Sequence, residues 1–204
     1  MAAMVSAYLF VFLALFGMVA SDSDHLQDLC VANKAAGIVY ILWYCGLANP
    51  GVINNSAGSV VTGANVEKIP GLNTLGVSLA RIDYEPGGLN PPHTHPRATE
   101  IIFVLDGELD VGFITTSNKL ISKSVKKGDI FVFPKGLVHF QKNNGEKPAS
   151  VIAGFNSQLP GTQSIAATLF TSTPPVPNNV LTKAFQIGTK EVDKIKNKLA
   201  PKKS

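Results

Sequence analysis

Between residues 59 and 155 apolar and polar positions alternate over short runs, most of them ended by Gly, Pro or Asp. "TLGVSLARIDYEP" (residues 74–86) alternates until Pro86-Gly87-Gly88 turns the chain. "TEIIFVL" and "LDVGFIT" are β-branched runs meeting at Asp106-Gly107, a dipeptide that tolerates positive φ and predicts a hairpin. "KLISKSV" reads as a half-exposed strand and "IFVFP" as a buried one that Pro134 stops; "LVHFQ" and "ASVIAGF" follow. Strands this short and closely spaced predict an all-β sandwich or closed barrel.

After Pro177 the period lengthens. "NNVLTKAFQ" opens on an Asn suited to capping and carries Val180, Leu181 and Phe185; "TKEVDKIKNKLA", from Thr189, sets Val192, Ile195 and Leu199 on one face. Two short C-terminal helices are predicted, their stripe buried against the barrel or against another subunit. At the other end residues 7–20, "AYLFVFLALFGMVA", form an unbroken apolar run too short for a comfortable membrane span and of signal-peptide length. No Lys or Arg precedes it, so the terminal amine alone supplies positive charge. Small residues follow, and cleavage is expected after Ser21 or Ala20. The predicted organisation is a secretory signal over residues 1–21, an N-terminal extension over 22–58, a barrel over 59–175, and a helical region with a basic tail over 176–204.

The chain has 204 residues, enough for one good-sized core. Its net charge of +4 comes largely from "KIKNKLAPKKS" at the end, without interleaved aromatics or a nucleic-acid motif. Nucleic acid is therefore not an expected partner, and a small anionic substrate is. Secretion leaves no membrane attachment after cleavage and delivers the chain to an oxidising compartment. There the two cysteines, Cys30 and Cys45, either close one short loop, a bond worth ~3 kcal/mol in the chain-entropy account, or stay unpaired. Asn54-Asn55-Ser56 is a glycosylation sequon in a Gly/Asn/Ser-rich stretch that suits a surface loop, which marks Asn54. Lys127-Gly128-Asp129 reads as the turn before a strand, Trp43 and Tyr44 as packing residues, and Arg97 as a surface charge at a salt bridge or a rim.

Three of the four histidines carry the chemistry. His93 and His95 are two apart, so on a strand both imidazoles point to one side. Glu100 is an odd number of residues from both, and a bend or bulge at Pro96 would restore a common direction. His139 follows a Pro-x-Gly turn on another strand. Three imidazoles and a carboxylate inside a narrow barrel form a divalent metal site with room for water or substrate. His25 is left over as a surface residue.

The spacings are themselves a signature. Gly87, five residues, His93-x-His95, four residues, Glu100, six residues, Gly107 matches the first cupin motif; Gly128, five residues, Pro134-x-Gly136, two residues, His139, three residues, Asn143 matches the second. With "LQDLCVA", "IPGLNTLGVS", "NPPHTHPRATEI", "VFPKGLVHFQ" and "FNSQLPG", the chain closely resembles the germin-like proteins, a plant branch of the cupins. That resemblance implies a single cupin β-barrel (jelly roll) with short C-terminal helices, secretion to the apoplast or cell wall, and a homo-oligomer built as a trimer of dimers, a hexamer. It also implies manganese (Mn2+) held by His93, His95, Glu100 and His139. Spacing alone does not select manganese, since affinity order favours copper or zinc at imidazole-rich sites.

The chain departs from the family in two places. The family's "NGxxCKDP" and "DDFFFSGL" are largely absent, and the apolar "GIVYILWYC" (residues 37–45) stands there instead, either a replacement strand or a gene-model artefact. Cys45 could then align with the end of the missing phrase, which leaves the Cys30–Cys45 pairing open. The family's oxalate oxidases place two asparagines near the manganese. One matches Asn90; the other would fall where this chain has Ala80. Alanine cannot hydrogen-bond oxalate, which disfavours that activity. Three functions remain in play: a manganese superoxide dismutase producing hydrogen peroxide at the cell wall in defence, an oxalate oxidase, and a cell-wall or storage-type (nutrient reservoir) protein with a structural metal.

Overall fold

The structure, a computed structural model, describes residues 44–200. The predicted signal segment, His25, Cys30 and Trp43 lie outside the described residues. Ten strands form two antiparallel five-stranded sheets facing each other. The first runs β1 (Ser59–Ala64), β2 (Ser78–Tyr84), β9 (Ala149–Phe155), β4 (Glu100–Asp106), β7 (Ile130–Phe133). The second runs β10 (Gln163–Ser164), β3 (Leu89–Thr94), β8 (His139–Lys142), β5 (Glu108–Ile114), β6 (Leu120–Lys126). This is the expected all-β barrel. Its core between the sheets includes Ile82, Tyr84, Ile102, Val104, Leu109, Val111, Phe133 and Val151, the inward residues of successive strands.

The predicted hairpin at Asp106-Gly107 does not form. β4 pairs with β7 and β9, and β5 with β6 and β8, so the chain changes sheets at this turn. The local signal was a real turn, but a turn dipeptide does not dictate which strands pair. Gly107 sits at φ 80°, and a Cβ there would lie 2.6 Å from the Ala149 side chain, so the crossing needs glycine. β7 also differs from expectation. Phe133 is buried, but Ile130 and Val132 face outward and are exposed. An apolar run reads as buried on both faces, and here only one face meets the core.

Three helices follow where two are predicted: α1 (Ile165–Phe170), α2 (Asn178–Phe185) and α3 (Thr189–Leu199). Their apolar stripe is divided: Val180, Phe185 and Leu199 are exposed in the single chain. Phe170, Leu181 and Val192 bury against one another in a cluster of their own, completed by Ile187 and Ile195. The N-cap of α2 is Pro177, not an asparagine. Asn178 instead ties α2 to α3: its amide donates to Asp193 Oδ1 at 2.8 Å, and its carbonyl accepts from Lys196 Nζ at 2.7 Å.

Candidate metal centre

β3 carries consecutive prolines, Pro91-Pro92, which cannot donate to a ladder. The register with β8 slips there: Asn90 faces Gln141, and His93 faces His139. The extra residue is a bulge that turns Asn90 and His93, an odd number apart, to the same interior side. His93 and His139 are thus direct cross-strand partners, with ring centroids 4.2 Å apart. His95 follows at the end of β3, and Glu100 opens β4 in the facing sheet. The turn after Pro96 does not realign one strand, as the sequence suggested; it carries the chain across to the other sheet, so the carboxylate approaches the imidazoles from the opposite wall.

All four side chains are buried, and one ligand atom from each lies within 4.8 Å of the others. The Nε2 atoms of His95 and His139 each stand 3.0 Å from Glu100 Oε2. Aromatic rings bracket the group. Phe133 stacks on His139 at 4.5 Å, and Phe155 meets His95 edge-on at 4.9 Å.

The outward nitrogens settle what the group can hold. Nδ1 of His93 bonds the Pro91 carbonyl at 2.7 Å, that of His95 the Gly161 carbonyl at 2.6 Å, and that of His139 the Leu137 carbonyl at 2.9 Å. A carbonyl oxygen only accepts, so each Nδ1 carries a hydrogen; each Nε2 then faces the group, where with a second proton it donates to Glu100 and without one it presents a lone pair. Burial, then the neighbouring His139, lowers the His93 pKa to about 4. Burial pushes Glu100 up, but hydrogen bonds from His139 and His95 outweigh it and leave the carboxyl at about 2. When Nε2 carries no proton, imidazole lone pairs and an ionised carboxylate face one another with nothing positive between them. Such a cluster calls for a cation, and carbonyl-anchored histidines are the usual outer support of a metal site. The residues therefore fit a metal ion.

A family model described as Cupin matches residues 45–193. Germin-like protein subfamily 2 member 4 of Arabidopsis thaliana is 67% identical over 201 residues, 91% of each chain. The chain belongs to the germin-like cupins. The rhicadhesin receptor of Pisum sativum is also 67% identical, over 89% of this germin-like chain and 90% of that protein. A solved structure of oxalate oxidase in complex with the substrate analogue glycolate matches with a TM-score of 0.85 at 42% identity, covering 89% of this chain and all of that one.

The germin-like centre includes two residues that the sequence reading missed. Gln141 is fully buried; its amide points to Glu100 Oε1 at 3.4 Å, while its carbonyl accepts from Asn90 Nδ2 at 2.7 Å and from the Tyr84 hydroxyl at 3.4 Å. Burial, then the Glu100 charge, raises the Tyr84 pKa well above its usual value, so it remains a donor. The signal was present in "HFQ", where Gln141 shares a strand face with His139. Asn90 thus reaches the carboxylate through Gln141. Ala80 is buried and pairs with Ala153, so the wall at that level is methyl groups.

Other expected features of this germin-like chain fall outside the centre. Asn54 is exposed in a loop before β1. Cys45 is exposed and has no disulfide partner among the described residues; its expected partner Cys30 lies outside them. Among the described residues Arg97 makes no salt bridge; it is exposed, and its Nε donates to the Leu159 carbonyl at 2.7 Å. Asp129 closes the turn before β7 by accepting from the Lys126 amide. Among the described residues no helix is long and apolar enough to cross a membrane.

Proposed function

We propose that this chain is a secreted germin-like protein that binds manganese and dismutes superoxide to hydrogen peroxide in the cell wall, as a homo-oligomer. The observation that carries the reading is the cluster of three carbonyl-anchored imidazoles around one ionised carboxylate, set in a wall that is apolar at Ala80 and Ala153. His93, His95, Glu100 and His139 would hold the ion. Bound there, manganese supplies a one-electron couple through which two superoxide radicals and two protons yield dioxygen and hydrogen peroxide. The chain's own part is positional. The three carbonyls fix ring orientation, Gln141 steadies Glu100, and Phe133 and Phe155 limit solvent. Superoxide is diatomic and needs no array of orienting groups, so Ala80 does not count against it. The positive net charge favours an anionic substrate.

Oxalate oxidation is the second reading, favoured by the likeness to solved oxalate oxidases. Against it stands Ala80, which offers no hydrogen bond where the family's oxidases are expected to carry asparagine. The deciding experiment is metal analysis of the secreted protein with parallel dismutase and oxalate-dependent peroxide assays. Dismutase activity in proportion to bound manganese, with little peroxide from oxalate, supports the first reading. Robust oxalate turnover transfers the assignment to the second. Full manganese loading with neither activity leaves a structural metal in a storage-type protein.

A further inference from the structure

His95 is anchored differently from the other two imidazoles. His93 and His139 each give the Nδ1 hydrogen to a carbonyl two residues earlier in the chain, Pro91 and Leu137, so local backbone fixes both rings. His95 reaches 66 residues along the chain, to the Gly161 carbonyl at 2.6 Å, with Thr162 Oγ1 3.4 Å from the same nitrogen. Its orientation therefore depends on where the connection between β9 and β10 lies. That connection is held towards its two ends: the Val66 amide donates to the Gln158 carbonyl at 3.1 Å, and Gln163 pairs with Thr94. Arg97 holds the middle.

Three successive carbonyls of this connection are taken by residues 95 and 97. Arg97 Nε donates to Leu159 at 2.7 Å, the Arg97 amide donates to Pro160 at 3.3 Å, and His95 donates to Gly161. Gly161 sits at φ 68°, and a Cβ there would lie 2.7 Å from Arg97 Nη2 and 3.0 Å from Cζ, so the guanidinium lies against bare backbone. That contact couples the arginine to the residue whose carbonyl meets His95. We propose that Arg97 is a positioning residue of the metal centre: it fixes segment 159–161 and, through the Gly161 carbonyl, the ring of His95. Its bearing on metal rests on the reading that His93, His95, Glu100 and His139 hold an ion. The planar guanidinium joins a fixed donor to a flat face. Methionine keeps the stem and loses both, whereas lysine keeps a charged donor alone.

The test compares the unmodified protein with Arg97→Met and Arg97→Lys, each made with isotope-labelled histidine. Arg97 is exposed, so neither substitution enters the core. After chelator treatment, magnetic resonance follows solvent exchange of each Nδ1 hydrogen, assigned with single His→Gln variants. In Arg97→Met the His95 hydrogen is expected to exchange about fivefold faster, the factor that one hydrogen bond is worth. Exchange at His93 and His139 stays unchanged, and Arg97→Lys recovers part of the protection. Titration with Mn2+ alone is expected to show about tenfold weaker binding in Arg97→Met, the low end for loss of an outer partner, with Arg97→Lys between. Unchanged exchange at His95 in Arg97→Met overturns the proposal. So does equal loosening of all three histidines, the mark of a merely structural arginine. Faster exchange at His95 with unchanged Mn2+ affinity overturns the assignment of Arg97 to the metal centre. If the unmodified protein takes up no Mn2+, the metal reading fails by itself, and the exchange comparison, made without metal, still decides whether Arg97 positions His95.

Discussion

His139 Nε2 stands 3.0 Å from Glu100 Oε2 while His139 Nδ1 is engaged with the Leu137 carbonyl. With one hydrogen committed to the carbonyl, the ring needs a second proton to donate to the carboxylate, and without it turns a lone pair toward a group that also carries only lone pairs. A cation relieves this, and the carboxylate supplies the negative charge among three neutral rings. Glu100→Gln keeps the shape and removes the charge. It is expected to lower metal affinity by at least the ~10–100-fold that loss of an outer partner costs. Competition against a chelator of known affinity measures it; unchanged affinity would separate Glu100 from the metal.

Gln141 links Asn90 and Tyr84 to the same carboxylate. Gln141→Leu would leave the buried Tyr84 hydroxyl and the Asn90 amide without this acceptor and Glu100 without a nearby donor. Such orphaned groups cost ~1–3 kcal/mol each. The variant is expected to lose about that much stability in urea denaturation of the metal-free protein and to bind metal about tenfold more weakly. A loss of stability with metal affinity intact would confine Gln141 to a packing role.

The ligand set was legible because the motif states it directly: His93-x-His95 and His139 need only strand geometry, and the turn after Pro96 announces a change of course. How Glu100 arrives was not legible. Its odd spacing signalled that one straight strand fails, but whether a bulge or a change of sheet resolves the conflict depends on long-range pairing. The same limit explains Asp106-Gly107, where the local turn was right and the partner strands were wrong. "IFVF" was misjudged because hydrophobicity marks a residue as wanting cover without naming the surface that covers it. Gln141 was overlooked because a single glutamine carries no motif, and only its alignment with His139 inside the barrel gives it a role.

Ala80 faces Ala153 across β2 and β9 in the barrel interior. Ala80→Asn restores the amide expected of the family's oxalate oxidases and places extra atoms in a tightly walled position. Overpacking of this kind costs ~1–3 kcal/mol. The variant is expected to melt at a lower temperature than the unmodified protein and to release more peroxide from oxalate. Thermal unfolding and a coupled peroxide assay read the two effects separately. If the unmodified protein already turns over oxalate at the variant's rate, the asparagine is not what the activity requires.

Protonation sets a pH window for the metal-free protein. His93 titrates near 4 when folded, chiefly through burial, against an ordinary value near 6.5. Between those values the unfolded chain binds the extra proton, so stability is present in full above pH 6.5 and falls as the pH drops through 4. The gap corresponds to roughly 3 kcal/mol at about 1.4 kcal/mol per pKa unit. Glu100, held near 2, stays ionised across this range and adds its own loss only below about pH 4.5. Urea denaturation of chelator-treated protein from pH 7.5 to pH 4 is expected to follow this course, while His93→Gln flattens it. Metal-loaded protein is expected to lose more over the same interval, because protons also compete with the ion for the same nitrogens. A metal-free curve level between pH 6.5 and 4 would show that His93 is charged as readily folded as unfolded, and the neutral-imidazole account of the centre would fail with it.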